Sequence, residues 1–204
     1  MSIARRKSFP AWLFGSLLAL CSANASAVVI FTANLTGSQE VPSNASTATG
    51  SATLVLNDAM TALTYSVTVF GLDFTGAQTP GTADNLMAAH IHAPAPPGVN
   101  AGVVFGFFGT PFNDNNPNDV VVTPFAMGVG GTIAGKWDEL EGNGTTLAAQ
   151  LPNILAGNSY LNFHTVAFPG GEIRGQIRVP EPTSALLLGA ALFALGFARR
   201  RHFR

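Results

Sequence analysis

The sequence predicts an all-β domain, a sandwich of short strands, and three observations predict it. Polar and apolar side chains alternate with a period of two in its clearest segments. Its 22 glycines and 13 prolines break the chain at short intervals. A single stretch of the core has helical spacing. The first strand falls within 28–36, where Phe31, Ala33 and Leu35 alternate with Thr32, Asn34 and Thr36. Residues 51–56 form the second, and Asn57-Asp58 opens the turn into a hairpin. The third, 62–69, is the plainest: Leu63, Tyr65, Val67 and Val69 point one way, Thr64, Ser66 and Thr68 the other. A period of two sends alternate side chains to opposite faces, so this strand is half-buried. Further strands are expected at 86–93, 103–108, 120–125, 128–137, 160–166 and 172–179. The one helix opens at Thr145-Thr146, carries Leu147, Leu151, Ile154 and Leu155 on one side, is limited by Pro152 and ends at Gly157.

The two ends are not fold material. Residues 1–27 carry Arg5, Arg6 and Lys7, then an apolar run over 11–20, then Ala25-Ser26-Ala27. Basic start, apolar middle and small residues at −3 and −1 make a cleavable secretory signal helix, cut by signal peptidase after Ala27. A twin-arginine signal is disfavoured because Phe9 lies one place late, and a lipoprotein signal because Leu20 precedes Cys21. At the other end, 179–204 begins Val179-Pro180-Glu181-Pro182, continues with an apolar helix over 184–198, and closes with Arg199, Arg200 and Arg201. Prolines end the last strand, an apolar helix enters the membrane, and the cations stay on the cytoplasmic side. About 15 apolar residues are few for a permanent span near 20, which suits a transient insertion better than a plain anchor.

Between the ends, residues 28–178 make one domain of ordinary length. The whole chain has a net charge of −1, but most of its cations lie in the ends. The core keeps only Lys136, Arg174 and Arg178 against ten carboxylates, a net charge of −7. Such a body has no electrostatic footprint for nucleic acid. The single cysteine, Cys21, leaves with the signal, so stability must come from packing or a bound ion.

Chemistry concentrates in the histidines. His90 and His92 lie two apart and share a strand face, with Ile91 opposite. His164 lies in another strand, sharing a face with Asn162 and opposing Leu161 and Phe163. If those strands are neighbours, three imidazoles converge, a donor set suited to zinc or copper with a fourth position open. The bland alternative is three histidines that only hydrogen-bond their surroundings. Gly170-Gly171 permits a tight turn, after which Ile173 and Ile177 face the core. Glu172, Arg174, Gln176 and Arg178 share the other face, read as a solvated stripe with an ordinary Glu–Arg pair. The 113–119 loop, Asn-Asp-Asn-Asn-Pro-Asn-Asp, offers many oxygens but lacks the glycine and distant glutamate of an EF-hand. No nucleophile elbow, core cysteine, phosphate loop or dinucleotide fingerprint is present, so no catalytic residue is assigned.

Two families are resembled. The order Pro180-Glu181-Pro182, short apolar helix, arginine cluster looks like the PEP-CTERM sorting signal. That resemblance implies processing by an exosortase and delivery to the cell surface or extracellular matrix of a Gram-negative bacterium. The core resembles the CHRD domain through Thr36-Gly37-Ser38-Gln39-Glu40-Val41-Pro42, Ala89-His90-Ile91-His92, the Leu155 to Thr165 stretch and Gly170-Gly171-Glu172-Ile173-Arg174-Gly175-Gln176. It implies an immunoglobulin-like, Greek-key β-sandwich or barrel and no settled activity. A fainter likeness to copper/zinc superoxide dismutase rests on His90-Ile91-His92 alone, with too few histidines for a bimetal site. The expectation is therefore an exported, non-catalytic surface or matrix module that binds exopolysaccharide, protein or itself. The alternative is a copper- or zinc-binding protein using His90, His92 and His164.

Overall fold

A computed structural model describes residues 28–180. The signal residues, Ala25 and Ala27 included, lie outside it, as do Glu181, Pro182, Arg199, Arg200 and Arg201 and the apolar stretch between them. The described residues form nine strands: β1 (Val29–Thr36), β2 (Thr49–Leu56), β3 (Ala62–Phe70), β4 (Leu86–His92), β5 (Val103–Phe108), β6 (Val121–Pro124), β7 (Gly130–Asp138), β8 (Tyr160–Thr165) and β9 (Ile173–Gln176). One helix, α1 (Leu147–Leu155), lies between β7 and β8. Among the described residues no helix is long and apolar enough to cross a membrane.

The all-β class stands. The strands form one antiparallel sheet, ordered β5-β4-β8-β9-β1-β2-β3-β7-β6. This sheet curls, so its two halves face each other across one core like the layers of a sandwich. The aromatic contacts prove the curl. Phe105 on β5 stacks on Trp137 of β7 at 4.8 Å, and Phe107 of β5 meets Tyr65 of β3 at 4.9 Å. Those strands stand at opposite ends of the strand order. The alternating residues of β3 (Leu63, Tyr65, Val67 and Val69) are all buried against this core.

Local chemistry sets the boundaries. Asn57 accepts from the backbone N–H groups of Thr61 and Ala62 through its side chain and so closes the β2–β3 hairpin. Thr146 caps α1, its hydroxyl accepting from the backbone of Ala149. Leu147, Leu151 and Ile154 bury the helix face. Pro152 sits inside the helix. The stop comes at Gly157, as expected, with φ +70°, a conformation glycine adopts without steric cost. At the sheet margin, the β5 backbone is occupied by two asparagines. Asn113 exchanges bonds with Gly106, and Asn143 binds the Val103 and Val104 carbonyls. The other margin, β6, is four residues long and contains Pro124.

Candidate metal centre

The condition set by the sequence is met: β4 and β8 are adjacent and antiparallel, with His90 opposite Asn162 and Ala88 opposite His164. Ala89, Ile91, Leu161 and Phe163 turn toward the core, which sends His90, His92 and His164 to the opposite face. There one nitrogen of each ring lies within 4.8 Å of the others. The rings are 4%, 7% and 9% exposed. Gly106 lies across from His90 in the neighbouring strand β5. A methyl group at that position would stand 1.9 Å from the Pro111 carbonyl and 3.1 Å from the His90 ring, so only glycine fits there.

That opposite face is not solvated. The polar stripe expected to face water is inside the protein: Glu172, Arg174 and Gln176 are buried, and only Arg178 of that set is exposed. Nor do Glu172 and Arg174 pair. Glu172 accepts from the hydroxyls of Ser46 and Thr165. Arg174, 1% exposed, fastens the 93–102 loop across the sheet, donating to the Val99 carbonyl at 2.8 Å and to Asn100 Oδ1 at 3.1 Å. Gln176 donates to the carbonyls of Ala95 and Gly157. The Pro-, Ala- and Gly-rich loop is thus a cover over β4, β8 and β9. The physical reason for the correction is this second layer, which alternation within one strand does not reveal.

The hydrogen bonds fix two tautomers. His92 Nδ1 meets the Ala101 carbonyl at 2.9 Å, and His164 Nδ1 meets the Pro169 carbonyl at 3.0 Å. A carbonyl only accepts, so each Nδ1 carries the proton and each Nε2 keeps a lone pair. His164 Nε2 faces His90 Nδ1 at 3.2 Å. His92 Nε2 and His90 Nε2 are buried with no hydrogen-bond partner. Burial, followed by the proximity of the other rings, pushes His90 far below the usual imidazole range, to about 3. His92 falls to about 4, also chiefly through burial, and burial lowers His164 as well. All three rings are therefore neutral and unprotonated at the inward nitrogens of His92 and His164, the state a metal requires.

Backbone carbonyls that hold the outer N–H of a histidine while its inner nitrogen faces a shared point are the usual support of a metal ligand. Zinc nitrogens lie about 2.0–2.1 Å from the ion, which in a tetrahedron separates them by roughly 3.3 Å. The His90 Nδ1–His164 Nε2 pair is already at that spacing, and the three ligand atoms together lie within 4.8 Å of one another. The chemistry of the donor set fits zinc or copper.

Tyr160, not proposed as a site residue from the sequence, and Arg174, read there as part of a solvated stripe, complete the support. Tyr160 stacks on His92 at 4.8 Å with 4° between planes, and the Arg174 guanidinium lies 3.4 Å from the Tyr160 ring centroid. Tyr160 Oη accepts from the Ala101 N–H. Arg174, Tyr160, His92, Ala101 and Asn100 thus close a ring of contacts around one ligand. The signal available beforehand was Arg174 itself, one of three cations in an acidic core and flanked by Ile173 and Gly175. Glu40 sits nearby, buried, with Oε1 unpartnered; burial lifts its carboxyl to about 7 although Arg174 pulls it down.

The oxygen-rich 113–119 loop is held by ordinary bonds. Asp114 accepts from Tyr65 Oη and the Asp119 N–H, and Glu141 accepts from the backbone of Asn115, Asn116 and Asp138. Lys136 bridges Asp119 and Asp138 at 2.7 and 3.0 Å.

No curated protein and no solved structure matches the chain. The family model for the CHRD domain matches residues 31–177, running from within β1 to the residue after β9 and taking in all three histidines. On that match, spanning most of its length, the chain belongs to the CHRD domain family.

Proposed function

We propose that this protein is an exported, non-catalytic CHRD module of the bacterial surface or extracellular matrix that holds one zinc or copper ion on His90, His92 and His164. One observation carries the metal reading: two imidazoles are fixed by backbone carbonyls with their Nε2 lone pairs inward, and His92 Nε2 is left buried and unpartnered. An unpaired buried acceptor costs roughly 1–3 kcal/mol, which a metal bond would offset. Elemental analysis of the purified chain tests it. Close to one zinc or copper per chain is expected, falling to background in the His90→Ala/His92→Ala variant. A natively purified chain that is metal-free and takes up neither ion would overturn the reading.

The surface reading rests on the order of elements in the two ends and on CHRD membership. In it, signal peptidase and an exosortase process the chain after transient membrane insertion, and exopolysaccharide or matrix protein is the partner. Replacing Pro180-Glu181-Pro182 by alanines is expected to abolish surface release, read by immunoblotting of cell and medium fractions; unchanged processing would count against it.

A further inference from the structure

Beside the histidines lies a cavity of about 600 Å³. His90 and His164 form part of its wall, and His92 does not. Most of the remaining lining is apolar, with Met87, Val103, Pro111 and Val166 on it, and Thr110 and Thr165 supply hydroxyls. The cavity therefore meets the cluster on the side of two of its three rings.

The charges around the cluster say what belongs there. Three neutral imidazoles leave the charge of a divalent ion uncompensated. Besides the other rings, the charged side chain acting on His92 is Arg174, a cation. Glu172 is occupied by Thr165 and Ser46, and Glu40 stands on the Arg174 side. A buried double charge with a cation for a neighbour calls for an anion. The walls offer two threonine hydroxyls but no cation for a phosphate or sulfate, and their apolar surface removes hydrocarbon from water.

Resting on the metal reading above, we infer that the fourth metal position opens on this cavity and takes an organic monoanion, a carboxylate with an apolar body. The carboxylate binds the ion and the body lies against Met87, Val103, Pro111 and Val166.

The test uses the full chain loaded with Co²⁺, whose visible bands report the coordination shell, titrated with benzoate and with acetate at neutral pH. Saturable band shifts are expected, with benzoate at least tenfold tighter than acetate. Val166 is half exposed, and V166D should keep cobalt while losing the preference for benzoate; V166L should keep both. Bands unmoved by benzoate while cobalt stays bound overturn the inference and leave the metal reading standing. Acetate binding as tightly as benzoate overturns the organic class. A chain that takes up no cobalt overturns the metal reading and this inference with it.

Discussion

In one half of the sheet, beside β3 and β7, Asp114 and Glu141 are buried with both carboxylate oxygens bonded to backbone N–H groups or to Tyr65. In the other half, over β4 and β8, His90 and His92 are buried with an Nε2 on each left unbonded. Both clusters bring polar groups out of water, at a cost that only partners offset. The first carries its partners within the chain and works as a fastening for the 113–119 loop. The second lacks them at those two nitrogens, and the proposed metal reading rests on that difference.

Removing groups from each half should break the contrast in different ways. Glu141→Ala strips three backbone N–H groups of their acceptor and is expected to destabilise the fold by about 3 kcal/mol. Denaturant titration would measure that, with metal content per folded chain unchanged. Arg174→Lys acts on the other half. Lysine keeps the charge but lacks the fork that reaches Val99 and Asn100 and the plane that covers Tyr160. Metal affinity should fall about tenfold, in line with lost support around a ligand, and competition with a chelator of known affinity would measure it.

A third effect, confined to high pH, concerns Glu40. Its carboxyl is raised from 4.5 to about 7 in the folded chain, chiefly by burial. The folded state therefore holds a proton that the unfolded state releases between those values. Its contribution to stability is complete below about 4.5 and is lost as pH rises through 7. Glu40→Gln should match the native protein near pH 4 and exceed it at pH 8, seen as a change in the pH slope of the denaturation midpoint. An unchanged slope would place Glu40 in contact with water.

The strands were legible because each half-buried strand writes its two faces directly into the alternation of its residues. Thr146 announced the helix start, and Gly157 its end, through capping chemistry; Pro152 lies between them because a helix tolerates one proline where packing of Leu147, Leu151 and Ile154 outweighs the lost bond. His90 and His92 were placed on one face by spacing alone. Their meeting with His164 depended on β4 lying beside β8, a long-range pairing that no local pattern specifies. The stripe Glu172–Arg174–Gln176 misled for a related reason: its alternation is that of a solvated face, and only the 93–102 loop folding over it changes its meaning.

The sheet margins have a consequence of their own. A curled sheet that does not close leaves two outer strands, each a template on which another chain can add itself. Here Asn113 and Asn143 occupy the β5 backbone, and β6 is short and interrupted by Pro124. Among the described residues both margins thereby oppose the strand-to-strand growth between crowded copies that produces fibrils.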